Sequence, residues 1–87
     1  MSDVTYYPKI GTFDAELFGQ WVHDWRDSEN MSVRTFAIML GVSASTLSRI
    51  ERGVAPVSAT LLLILCDFMD AQPWEFYSLY SYKPWES

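Results

Sequence analysis

The chain announces the start of a helix three times in the same way. Ser32, Ser43 and Ser58 each follow an apolar residue, and a second apolar residue stands five positions after the first: Met31 with Phe36, Val42 with Leu47, Val57 with Leu62. A serine hydroxyl accepts a hydrogen bond from a free amide in the first turn of a helix, and the flanking apolar pair clasps across that turn. Starts this closely spaced leave room only for short helices, and they predict helices over 33–40, 44–52 and 59–70. Upstream, Phe18, Trp21, Val22 and Trp25 recur at the spacing of one helical stripe. They place a first helix over 13–27, with Asp14 and Glu16 near its positive end. Downstream, Pro73 suits the first turn of a fifth helix through Trp74, Phe76 and Tyr77. No run alternates at period two for long enough to predict a strand. The expected fold is all-α: a compact domain of five short helices over 13–78, with an N-terminal arm over 1–12 and an aromatic tail over 79–87.

Gly41 permits a tight connection between the second and third helices, and Gly53 is the expected left-handed stop of the third. Two short helices joined this closely form a helix-turn-helix. Leu47 and Ile50 are its inward positions, with Ala37 a small residue where the two helices approach. Ser45, Arg49 and Arg52 share the opposite face, flanked by Ala44 and Ser48.

Charge is distributed to match. The chain has 6 basic and 11 acidic residues, a net of −5. Between Met31 and Val57, three arginines stand against one glutamate, a net of +2; elsewhere three cations stand against ten carboxylates, a net of −7. Screening limits surface charges to a reach of about 10 Å, so a positive face can coexist with an acidic back. Other functions lose ground on composition. One cysteine and one histidine exclude an internal disulfide and a Cys/His zinc cluster, and no metal or cofactor is expected. There is no glycine-rich phosphate loop. Asp24 and Asp27 share a helical face without a partner nucleophile, so no enzyme is expected. The longest apolar run, Leu61 to Cys66, is too short to cross a membrane, and residues 1–12 lack a signal-peptide pattern. A cytoplasmic protein without a separate sensor domain is expected.

The run GVSASTLSRIERG, followed by Pro56, a leucine-rich fourth helix and LCDFMDAQPWEFY, resembles the Cro/lambda-repressor-like (XRE-type) helix-turn-helix family over residues 17–77. The resemblance implies a sequence-specific DNA-binding transcriptional regulator, a repressor or Cro-like switch protein of the kind found in phages and prophages. It would act as a homodimer on double-stranded operator DNA, with the recognition helix 44–52 in the major groove. It assigns base contacts to Ala44, Ser45, Thr46, Ser48 and Arg49, and phosphate contacts to Ser32, Arg34, Ser43 and Arg52. It also implies a structural ion pair between Arg26 and Glu51. Two departures stand out. Val33 occupies a place where many members carry glutamine, and the loop GVAPVS lacks the usual cation. With the acidic total, they favour a second reading: a helix-turn-helix module that binds another regulator protein instead of DNA.

The fourth helix raises a separate question, because Leu61 to Leu65 wrap all the way around it. Positions 62, 65, 66 and 69 are expected to face the core, leaving Leu61, Ile64 and Phe68 on a second face. The arm, the tail or a partner subunit can cover that face. Family dimers generally use the fifth helix and the C-terminal segment, so Trp74, Tyr77, Tyr80 and Trp85 join the candidate interface. His23 is expected at the surface and Cys66 in the core.

Overall fold

The computed structural model describes residues 9–81, and four α-helices form its body. Helix α1 spans Ala15–Ser28, α2 Val33–Leu40, α3 Ala44–Glu51 and α4 Ala59–Met69. Each of the three serines caps its helix: the side chains of Ser32, Ser43 and Ser58 accept from the amides of Thr35, Thr46 and Leu61 at 3.0, 3.0 and 3.1 Å. Asp14 caps α1 in the same manner, accepting from the Leu17 amide at 3.0 Å. The residues preceding the serine caps, Met31, Val42 and Val57, pack partly buried against the core, as hydrophobic staples do.

The core is one cluster drawn from every helix. Phe18 and Val22 of α1, Phe36 and Ala37 of α2, Leu47 and Ile50 of α3, and Leu65 and Cys66 of α4 are buried together with Ala71 and Phe76. Phe18 meets Phe76 edge to face with ring centroids 5.1 Å apart, and Trp21 meets Phe76 at 5.0 Å. Burial first, and then the nearby Glu75 carboxylate, push the Cys66 thiol above its ordinary pKa, so it stays a protonated packing group. Among the described residues no helix is long and apolar enough to cross a membrane.

The expected fifth helix is not an α-helix. Pro73–Phe76 makes a single 3-10 turn, and the chain then extends as a strand. Strand β1 (Lys9–Phe13) pairs antiparallel with β2 (Tyr77–Ser81), with Phe13 opposite Tyr77 and Lys9 opposite Ser81. The ribbon joins the end of the expected arm to the start of the expected tail, and the Asp14 amide extends it by donating to the Phe76 carbonyl at 2.7 Å. The difference from the expected strandless fold has a physical cause. Each strand has only five residues, too few to show a period. The two lie at opposite ends of the chain, so no local turn marks them as a hairpin. Phe76, buried against Phe18 and Trp21, anchors the 3-10 turn, and the following Tyr77 already has the extended angles φ −133° and ψ 119°.

Candidate nucleic-acid interface

The α2–α3 corner is set by Gly41, which has φ +75° and ends α2 in the left-handed conformation. The turn closes on itself: the Gly41 amide donates to the Ile38 carbonyl at 3.2 Å and the Val42 amide to that of Ala37 at 3.0 Å. No atom lies near the place of a Cβ at Gly41, so the backbone angle alone requires glycine there. On α3, Leu47 and Ile50 are fully buried. Ala44, Ser45, Arg49 and Arg52 are exposed, and Thr46 and Ser48 are half-buried at the edges of the same face. Ser32, Ser43 and Arg34 are exposed as well. Three guanidinium groups thus reach solvent from α2, α3 and the residue that ends α3.

The caps of α2 and α3 carry chemistry that the cap of α4 lacks. Ser43 accepts from the Thr46 amide and donates its own hydroxyl to Thr46 Oγ1 at 2.9 Å. Thr46 therefore keeps its own hydroxyl proton for an acceptor outside the protein. Ser32 and Thr35 repeat the arrangement at 3.0 Å. Thr35 was not among the residues expected in the site. Its signal is the Ser-x-x-Thr spacing at both helix starts, which Leu61 interrupts after Ser58. Ser43→Ala should lower stability by about 1 kcal/mol in urea unfolding, the ordinary cost of a lost cap. Ser58→Ala should cost a similar amount while leaving the Thr46 hydroxyl in place.

A buried ion pair holds the end of α3. Arg26 donates through Nε to Glu51 Oε2 at 2.7 Å and through Nη2 to Oε1 at 3.0 Å, while Nη1 donates to the Met31 carbonyl at 2.7 Å. Both side chains are largely out of water, at 11% and 7% exposure. The hydrogen bond to Glu51 chiefly, opposed by burial, raises the Arg26 pKa, so the guanidinium stays charged. One side chain therefore ties α1, the entry to α2 and the end of α3 together. His23 is a third member of this cluster. Its Nδ1 lies 3.1 Å from Glu51 Oε1 and 3.2 Å from Arg26 Nη2. A ring nitrogen holds either a proton or a lone pair in its plane, so only one of these contacts is a hydrogen bond at a time. His23 sits three residues before Arg26 on the same helical face, so the two side chains meet.

The remaining candidates divide. Val33 is half-buried and packs against the core, so an apolar residue there lines the interior. Leu61 also packs against the core, and Phe68 stacks on Trp25 and Phe36 with centroids 5.6 and 5.4 Å apart. Leu61 is therefore half-buried, whereas Phe68 keeps an exposed edge beside Ile64. Ile64, Trp74 and Tyr77 are exposed, as is Leu63, which was not expected. Tyr80 pairs through its backbone with Ile10 in the ribbon, and Trp85 lies outside the described residues.

Comparison with known proteins agrees with this geometry. The model of the family described as "Helix-turn-helix domain" matches residues 17–76. No curated protein matches the chain. Among solved structures, the restriction-modification controller protein C.AhdI from Aeromonas hydrophila is similar at 32% identity and a TM-score of 0.61, over 72% of this chain and 96% of that one. The clp gene regulator ClgR from C. glutamicum is similar at 28% identity and a TM-score of 0.61, over 75% of this chain and 84% of that one. An HTH_3 family transcriptional regulator from Vibrio cholerae shares the fold at 24% identity and a TM-score of 0.59, over 72% of this chain and 35% of that one. The chain belongs to the helix-turn-helix domain family, of the Cro/lambda-repressor (XRE) type.

Proposed function

We propose that this protein is a sequence-specific DNA-binding transcriptional regulator, a repressor or Cro-like switch, that acts in the cytoplasm as a homodimer on the nucleoid. One observation carries the reading. α3 buries Leu47 and Ile50, presents Ala44, Ser45, Arg49 and Arg52 to solvent, and is held at its end by the Arg26–Glu51 pair. Similarity to a restriction-modification controller protein over nearly its whole length supports it. α3 enters the major groove, where Arg49 makes a bidentate contact to guanine O6 and N7. Ser45, Thr46 and Ser48 read polar base edges, and Ala44 meets a thymine methyl. Arg34, Arg52 and the helix starts at Ser32 and Ser43 hold phosphates. In a dimer the half-sites lie about 34 Å apart.

The same chain offers few cations to the backbone. With about three phosphates neutralised per subunit, the slope of log K against log salt is about −3, and about twice that for a dimer. The net charge of −5 and the cation-free loop 53–58 favour the alternative, an interaction module that binds another regulator. Fluorescence anisotropy with DNA from the chain's own upstream region, at two salt concentrations, separates them. Arg49→Ala should weaken a specific complex by about 1–3 kcal/mol and relax the preference at one base pair. Absence of binding at low salt, with a second regulator recovered in complex, decides for the module.

A further inference from the structure

Four elements outside the helix-turn-helix supply the walls of one groove. Phe13 of β1, Leu62 of α4, Pro73 and Trp74 of the 3-10 turn and Tyr77 of β2 line a space of about 270 Å³. Three of the five walls are aromatic, and Trp74 and Tyr77 keep 70% and 44% of their surface exposed. Among the described residues, neither Trp74 nor Tyr77 stacks on another ring. The only polar side-chain groups of these walls are the Trp74 N–H and the Tyr77 hydroxyl.

The charges around this groove are all negative. A second groove of about 440 Å³ shares the Pro73 wall and carries Asp67 and Asp70, both exposed. Asp14 and Glu75 adjoin Phe13 and Trp74 in the chain, and no Lys, Arg or His belongs to the walls of either groove or to their immediate chain neighbours. Asp67 and Asp70 are also poorly placed for α4 taken alone. They stand in its last turn and at its C-cap, the negative end of the helix dipole, where a cation is favoured; α4 has no basic residue there. A bound cation offsets that cost.

The geometry points to a binding site for a small organic cation of the quaternary-ammonium class, its alkyl head against Phe13, Trp74 and Tyr77 and its charge toward Asp67 and Asp70. Other ligand classes fit less well. An anion meets only carboxylates, and a neutral polar ligand finds few partners on these walls. A metal ion or a primary ammonium holds its water tightly, and the aromatic groove has no ring of oxygens to replace it. An alkylated ammonium is apolar at its surface, and the quadrupole of an aromatic face attracts its charge. The volume lies just below the range of about 300–1,000 Å³ for drug-sized ligands, which suits a compact head group. Such a site uses no residue assigned to DNA contact. A ligand seated there touches both strands of the ribbon, α4 and the 3-10 turn together, so it stabilises the folded chain.

Choline is the probe, and its uncharged isostere, with carbon in place of the nitrogen, is the control. Both are titrated into the full chain without DNA at constant ionic strength, and the Trp74 indole and Tyr77 ring signals are followed by NMR. Choline should shift these signals to saturation and bind about tenfold more tightly than the isostere, the preference that ring faces give a cation. It should also raise the Tm. Trp74→Leu keeps an apolar wall without a ring face and should bring the two affinities, read at Tyr77, within about twofold of each other. Trp74→Phe should retain most of the preference. Replacing both Asp67→Asn and Asp70→Asn should weaken choline about fivefold and leave the isostere unchanged. All three positions are exposed, and circular dichroism checks that helix content is kept. An isostere that binds as tightly as choline, a choline titration that never saturates, or a Trp74→Leu chain that keeps the preference overturns the proposal. So does choline binding that weakens as protein concentration rises, because a second copy would then be the occupant. Choline binding that tightens in Trp85→Ala overturns it too, because residues 82–87 would then fill the groove.

Discussion

Arg26→Ala should lower the free energy of unfolding by about 3–5 kcal/mol, the cost of stranding a buried charge whose partner has been removed. Glu51 is the stranded group: its carboxylate receives two bonds from the guanidinium and is only 7% exposed. A domain of this size is stable by about 5–15 kcal/mol, so the loss removes a large part of the margin. The Met31 carbonyl loses its 2.7 Å donor in the same substitution, which loosens the entry to α2 as well. Removing both charges should cost less than the two single losses combined, because neither partner is then left buried alone. Arg26→Lys should recover little, since an ammonium cannot bond both carboxylate oxygens and the Met31 carbonyl in the planar arrangement of a guanidinium. Urea unfolding of Arg26→Ala, Glu51→Ala, the double variant and Arg26→Lys gives all four values. Additive losses would show that the pair adds no coupling.

The parts of this fold that were legible in the sequence are those specified by residues close together in the chain. A serine cap and its staple lie within six residues, and all three serines that predicted helix starts cap helices. Gly41 and the buried pair Leu47 and Ile50 belong to the same class. The ribbon was not legible, because its strands are five residues each and are separated in sequence by all four helices. The same reason hides the place of His23: its neighbours Arg26 and Glu51 come from two helices, and only the structure brings all three within hydrogen-bond distance. On α4 the sequence was ambiguous for a different reason. A helix apolar on every side does not show which side is outward. Burial resolves this by enclosing Leu65 and Cys66 and leaving Leu63, Ile64 and one edge of Phe68 open, the other side of Phe68 stacking on Trp25 and Phe36.

Gly19 was missed altogether, and it carries the second large prediction. In an exposed helix interior, Gly→Ala stabilises by about 1 kcal/mol, because alanine gives up less conformational freedom on folding. At Gly19 the sign should reverse. A Cβ placed there falls on the carbonyl oxygen of Ile50 and lies 2.6 Å from that of Glu51, at the last turn of α3. These are backbone atoms, so no side-chain rotation relieves the overlap, and α1 must part from α3. The residues that would move include those proposed to contact DNA: Arg49 and Arg52 flank the contact in sequence, and the Arg26–Glu51 pair spans it. Overpacking of this kind costs about 1–3 kcal/mol and sometimes more, enough to overcome the gain in helix propensity. Gly19→Ala should therefore lower the unfolding midpoint, and Gly19→Val should lower it further. The variant that still folds should bind DNA more weakly than its folded fraction explains, because α3 is displaced relative to α1. Thermal unfolding by circular dichroism, combined with anisotropy corrected for the folded fraction, checks both parts. A neutral or stabilised Gly19→Ala would show that α1 and α3 do not approach this closely. The close approach at Gly19 therefore holds the end of α3 against α1.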